Sequence, residues 1–210
     1  MDIAIPIFDD LTALDAVGPY EVLSRLPDAR VSFVATEPGP KRTENGMLAL
    51  VADRSLADLP EPDVLVVPGG FGTRALMHDE PFLDWIRHVH DHSTWTTSVC
   101  TGSLLLAAAG LLDGREATTH WLQTELLKPY GALPVSQRVV RSGKIITAAG
   151  VSSGIDMALM LAAEIAGDRW AQGIQLGIEY DPQPPFAAGS PDTAPPEIVE
   201  LVRARADQLA

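Results

Sequence analysis

The sequence predicts an α/β fold in which a mostly parallel sheet is covered by helices on both faces. Three observations lead there. Strand-like and helix-like segments alternate along the chain, the pattern of successive strand–helix units. The run Asp63–Pro68 (DVLVVP) is continuously apolar, which suits a strand buried on both faces. The 210 residues, 46% hydrophobic and 20% charged, hold enough apolar material for a substantial core and exclude a disordered or collagen-like chain.

Each element has its own signal. Asp2–Phe8 (DIAIPIF) reads as a buried strand. Gly18-Pro19 is expected to open a short helix through Leu26, with proline in the first turn where its missing N–H costs nothing. Arg30–Thr36 is β-branched and strand-like, Pro38-Gly39-Pro40 turns the chain, and Met47–Ala52 reads as another short strand. Asp79–His92 has helical spacing, with Phe82, Leu83, Ile86 and Val89 on one face. Trp95–Val99 is a strand, and Thr101–Ala109 a helix that ends at Gly110. Ala117–His120 reads as a short strand, Trp121–Tyr130 as a helix, and Arg138–Ala149 as a hairpin about Ser142-Gly143. Ser152–Ala166 is apolar almost all round and predicts a buried helix, followed by another over Arg169–Tyr180. Residues 181–196 are proline-rich and aperiodic, an expected ordered strap, and Glu197–Leu209 reads as a terminal helix capped by Asp192 or Thr193. All 210 residues are read as a single domain, with 181–210 as the strap and terminal helix.

Charge and cysteine usage exclude several functions. The net charge of −13 opposes binding to nucleic acid and docking on anionic lipid. The longest apolar stretch, Leu104–Leu112, is too short to span a bilayer. One cysteine leaves no intrachain disulfide, and the Met1-Asp2 start lacks the basic segment of a signal peptide, so a cytoplasmic protein is expected. There is no GxGxxG after a strand, no Walker A lysine and no Cys/His zinc spacing, so neither a cofactor nor a metal is expected. His88 and His92 have the i,i+4 spacing of a metal pair, but no nearby Cys or Glu completes a ligand set. A solvated helix end, where His suits the dipole, is the favoured reading.

The chemistry-bearing residues gather at predicted strand ends, where open α/β sheets bind ligands. Cys100 lies between a strand and a helix, at the turn called a nucleophile elbow. Helix amides there favour thiolate, so a depressed thiol pKa is expected. The alternative is a small buried hydrophobe. Gly69-Gly70 ends another strand and is either a plain turn or a source of N–H groups for developing negative charge. Asp15, read as lying in the loop after the first strand, is either a helix cap or a carboxyl with a raised pKa. His120 follows a short strand and either points toward Cys100 or makes a structural hydrogen bond.

At these residues the chain resembles the ThiJ/PfpI superfamily, of class I glutamine amidotransferase-like fold, and most closely its isonitrile-hydrating branch. The resemblance is carried by Leu14–Pro19 (LDAVGP), Pro68-Gly69-Gly70, Ser98–Ser103 (SVCTGS), Ala117–Trp121 (ATTHW) and Ala188–Pro195 (AGSPDTAP), and covers essentially the whole chain. It implies a flavodoxin-like three-layer sandwich with a Cys nucleophile elbow. It further implies Cys100 as nucleophile, Asp15 as its acidic partner, and Gly70 and Thr101 as backbone N–H donors, with the Thr101 hydroxyl near the site. Val151, after Gly150, would contact the reacting group. Phe71, Trp121 and Val151 are the candidates for an apolar wall around the organic group, because pockets are mostly apolar and an isonitrile offers little to hydrogen-bond. Also implied are a small-molecule isonitrile substrate and a homodimer. The rivals are a ligand sensor without turnover, a glyoxalase or deglycase, and a redox sensor. The residue after Cys100 is Thr101 rather than His, which weakens protease and glutaminase readings.

Overall fold

In the computed structural model, which describes residues 1–207, the chain forms two compact units, Met1–Ile178 and a second from Glu179 onward. The first unit runs β1 (Asp2–Pro6), α1 (Ala13–Leu23), β2 (Arg30–Ala35), β3 (Gly39–Arg42), β4 (Ala49–Ala52), β5 (Arg54–Ser55), β6 (Val64–Val67), α2 (Thr73–Leu76), α3 (Glu80–His92), β7 (Trp95–Val99), α4 (Gly102–Ala108), β8 (Glu116–Ala117), β9 (Leu133–Pro134), β10 (Val139–Ser142), β11 (Ile145–Ala148), α5 (Ser153–Ala166) and α6 (Asp168–Gly177). Short 3-10 segments cover Leu56–Asp58 and Trp121–Tyr130.

The apolar runs build the sheet. Its seven strands lie in the order β10-β11-β7-β6-β1-β2-β5, all parallel except the β10–β11 hairpin at one edge. Every residue of β6 and β11 is buried, as the continuous hydrophobic patterns demand. Helices surround the sheet: α1 packs on α5 and α5 on α6, while α4 packs on α2 and α3. Ile3, Ile5, Leu65, Leu83, Ile86, Leu104, Leu105 and Leu106 are among the largest fully buried side chains. The buried face of α3 comprises Phe82, Leu83, Ile86 and Val89, the four residues its spacing singled out.

Several elements differ from the sequence reading, each for a packing reason. The first helix starts at Ala13 rather than Gly18, so Gly18 and Pro19 lie inside it. Gly18 is the point where α5 approaches: a methyl there would come 3.1 Å from Ile155. Burial against α5 thus outweighs the local breaker signal. The short strand expected at Ala117–His120 shrinks to Glu116–Ala117, because Thr118 and Thr119 spend their polar groups on Thr147 and Cys100 instead of a ladder. The segment Trp121–Tyr130, with Pro129 inside it, winds as 3-10 helix and ends at left-handed Gly131. The strand expected over Met47–Ala52 forms as β4, and it pairs antiparallel with β3, whose first residues the sequence marks as a turn.

The second unit opens with a turn-rich stretch in which Ala194 N–H donates to Ser190 carbonyl at 2.9 Å. Its helix, α7 (Pro196–Asp207), begins with proline in the first position. Thr193, one of the two expected caps, pairs instead with Ser190 through their hydroxyls at 3.0 Å. The last residues of the expected helix, Gln208 and Leu209, lie outside the described residues.

Candidate active site

The β7–α4 junction holds Cys100 in a left-handed conformation, φ 56°, that non-glycine residues rarely adopt. Four hydrogen bonds hold it there. The Cys100 N–H donates to Ala149 carbonyl at 2.8 Å and Ala148 carbonyl at 3.1 Å. Its own carbonyl accepts from the buried hydroxyls of Thr119 at 3.0 Å and Ser103 at 3.1 Å. Gly102 is required by the same turn, since any side chain there would run into the Val67 carbonyl of β6. Backbone strain held by surrounding bonds is a feature of functional sites. Val151, φ 38°, is a second non-glycine residue in the left-handed region, at the entry to α5. Its N–H and that of Thr101 both donate toward the Cys100 sulfur.

Asp15 lies in the first turn of α1, not in a loop, and is fully buried. Its Oδ2 accepts from Gly69 N–H at 3.0 Å, and the carboxyl also interacts with the Cys100 thiol. Oδ1 has no hydrogen-bond partner among the described residues, an exception that is rare away from functional centres. Burial, helped by the charge of Glu44, pushes the Asp15 pKa up to about 7, against the opposing bonds from Gly69 and Cys100.

The thiol behaves differently from the sequence expectation. Burial pushes the Cys100 pKa up, and the neighbouring Asp15 charge adds to the rise. The N–H groups of Thr101 and Val151 oppose it without prevailing. The amides that favour thiolate are present, but α4 is only seven residues long and the sulfur is out of water. At neutral pH the pair therefore carries at most one negative charge, and it rests on the carboxyl rather than the sulfur.

The Gly69-Gly70 turn is committed to assembling this pair. Gly69 N–H goes to Asp15, and Gly70 N–H donates to Thr101 Oγ1 at 2.9 Å. The Thr101 hydroxyl in turn donates to the Gly70 carbonyl at 3.2 Å. Both turn amides thus have protein partners, and the N–H groups that reach the sulfur are those of Thr101 and Val151. A methyl at Gly69 would sit 2.5 Å from Thr101 N and 2.9 Å from Asp15 Oδ2, so only hydrogen fits.

His120 is half-buried beside Gly150, where a methyl would meet its ring at 2.7 Å. Its Nδ1 accepts from Leu122 N–H at 3.3 Å, and burial lowers its pKa, so the ring is neutral. Trp121 follows it, ring centroids 6.0 Å apart. Phe71 is 40% exposed with the Arg74 guanidinium 5.0 Å over its ring, a surface stack rather than a closed wall.

Three contributors escaped the sequence reading. Ser103 and Thr119 fix the strained Cys100 carbonyl, and both stand in motifs already singled out around Cys100 and His120. Glu44, on the loop between β3 and β4, acts on Asp15 from a position no sequence pattern marks. Away from this site, Glu61 joins His88 and His92, correcting the expectation that no nearby Cys or Glu completes a ligand set with them.

A family model described as the DJ-1/PfpI family matches residues 1–164. The chain is 48% identical over 206 residues to isonitrile hydratase of Pseudomonas putida, covering 98% of this chain and 90% of that one. A solved ThiJ/PfpI family protein from Pseudomonas syringae superposes with a TM-score of 0.95 at 37% identity, covering 99% of this chain and 86% of the other. An HTH-type transcriptional regulator of Pseudomonas aeruginosa is 33% identical over 85% of this chain but only 52% of its own length. Over most of its length, and with its cysteine on the strand-to-helix turn, the chain belongs to the DJ-1/PfpI family.

Proposed function

We propose that this chain adds water to an isonitrile, giving an N-substituted formamide through a covalent Cys100 intermediate. The observation that carries the reading is the buried Cys100–Asp15 pair, found in a chain 48% identical over nearly its full length to an isonitrile hydratase. Asp15, with a pKa of about 7, is matched to moving a proton near neutral pH. It takes the thiol proton as the sulfur attacks the terminal carbon of R–N≡C, and then delivers that proton to the same carbon. One C–S and one C–H bond form, and the triple bond becomes the C=N bond of a thioimidate, R–N=CH–S–Cys100. The Thr101 and Val151 N–H groups stabilise charge on sulfur during the attack. Water then adds to the carbon, passing one proton to the nitrogen. The C–S bond breaks, the remaining hydroxyl proton returns to the thiol, and R–NH–CHO leaves. No amine departs, so the site has no need of a histidine paired with the nucleophile to protonate a leaving group.

The substrate is a small molecule whose organic group lies against Trp121 and Val151, with Phe71 at the outer edge. No resident cofactor enters the reaction. The chain is inferred to be a cytoplasmic homodimer, its two units acting as one domain. No described helix is long and apolar enough to cross a membrane. Much of the apolar surface of α5 is spent within the protomer on α1, α6 and the sheet, and the exposed apolar side chains Met160, Trp170 and Leu176 support the dimer. Light scattering at micromolar concentration is expected to give twice the chain mass, and the chain mass alone would remove the dimer.

The activity test uses purified protein with an alkyl or aryl isonitrile, following formamide, beside methylglyoxal. Formamide from the isonitrile supports the hydratase. Consumption of methylglyoxal alone would establish a glyoxalase-type enzyme, and isonitrile binding without product a sensor.

A further inference from the structure

At the opposite end of the sheet from Cys100, the loop before β6 meets the last turn of α3. Strand β7 separates the two regions by about 17 Å, five residues at the usual rise. His88 and His92 are one helical turn apart and share a face, with ring centroids 4.3 Å apart. Glu61 reaches them from the loop. Its Oε1 lies 3.6 Å from His88 Nε2 and 4.0 Å from His92 Nε2, and the three donor atoms all fall within 4.8 Å of one another.

Two further observations bear on what this cluster binds. His92 Nδ1 lies 2.8 Å from the His88 carbonyl oxygen. A carbonyl can only accept, so Nδ1 carries the proton, and neutral His92 presents a bare Nε2 lone pair to Glu61 and His88. Orientation of a ligating imidazole through its other nitrogen is the device that metal sites use. Glu61 stands in a bend between Pro60 and Pro62, whose fixed φ angles restrict the loop backbone and limit the carboxylate's wandering. The cluster also sits at the C-terminal end of a 13-residue helix, where the dipole favours a cation.

We propose that His88, His92 and Glu61 form a surface site for a late first-row divalent metal, Zn2+ or Ni2+, that clips the loop around residue 61 to α3. Ligand atoms about 2.0–2.2 Å from one ion lie roughly 3–4 Å from each other, close to the spacing already present. Two imidazoles and one carboxylate suit Zn2+ or Ni2+ and are poor ligands for Ca2+ or Mg2+, which take oxygen. All three side chains are exposed, so a hydrated ion enters directly and water completes its coordination.

The test is calorimetric titration of the full-length protein with Zn2+ alone and with Ni2+ alone, paired with melting curves. One ion per chain is expected, with a rise in Tm. His88→Ala and His92→Ala are expected to weaken binding about 100-fold and Glu61→Gln about 10-fold, at least the scale seen when a supporting group of a metal ligand is lost. Because these positions are exposed, the variants should keep the metal-free Tm of the wild type. Cys100→Ser is expected to keep the site, which separates it from metal capture by the thiol. Binding that survives His88→Ala and His92→Ala, binding lost in Cys100→Ser, or no stoichiometric binding of either metal would overturn the proposal.

Discussion

Asp15 is a carboxyl placed where a carboxylate is costly, and that cost has measurable consequences. Burial raises its pKa to about 7, so the acid form dominates below neutrality and the base form above. If the base form takes the thiol proton, kcat/KM for an isonitrile should rise with pH through about 7. Asp15→Asn keeps a donor and the shape but cannot carry the proton. Turnover is expected to fall about 100-fold or more and the pH limb near 7 to vanish. The same variant removes the charge that helps raise the Cys100 pKa, so thiolate absorbance should appear at lower pH than in the wild type. Loss of turnover together with an easier-to-ionise thiol separates proton transfer from simple nucleophile strength. An Asn variant with full activity would assign the proton to another group. The sequence singled out both members of this pair. It misjudged the thiol because helix N-terminal amides are visible in a strand–Cys–helix pattern, whereas burial of the sulfur and its distance from Asp15 are tertiary facts.

The elements that present this pair are the first turn of α1, which carries Asp15, and three strand ends: β6 with its Gly69-Gly70 turn, β7 with the elbow, and β11 with Val151. Their apolar runs and glycines were legible, so the parallel sheet and the location of the site at the carboxyl ends of its strands followed from the sequence. The start of α1 was not, since Gly18-Pro19 signals a helix opening and only the approach of Ile155 explains why the helix continues through it. The roles of Gly69 and Gly70 were half legible. A glycine turn at a strand end was evident, but only the folded chain assigns one amide to Asp15 and the other to Thr101. Gly69→Ala is expected to abolish turnover while costing roughly 1–3 kcal/mol of stability, because its methyl must displace Thr101 and Asp15. Denaturant melts and formamide assays on that variant check both parts. Unchanged kcat would show that the turn does not position the pair. A bulkier side chain at Val151 is expected to lower kcat/KM for aryl isonitriles before small alkyl ones. Equal responses would remove Val151 from the pocket wall.

For the whole molecule, the buried Asp15 links folding to pH. Its folded pKa, about 7, stands above the ordinary carboxyl value of 3.8, so the folded chain holds this proton where the unfolded chain has lost it. That contribution is fully present below about pH 4, is lost as pH rises toward about 7, and is level above, with a ceiling on the order of 4 kcal/mol. Chemical denaturation of wild type and Asp15→Asn at pH 5 and pH 8 tests this: the variant should gain stability relative to wild type at the higher pH. A constant difference would mean that Asp15 titrates normally. In this mechanism one buried thiol does the chemistry of a small-molecule hydratase. Its most direct test is the initial rate of formamide formation from an isonitrile by wild type and by Cys100→Ala of matched thermal stability. Turnover is expected from the wild type and a rate at the uncatalysed background from the variant. Comparable rates from the two proteins would contradict it.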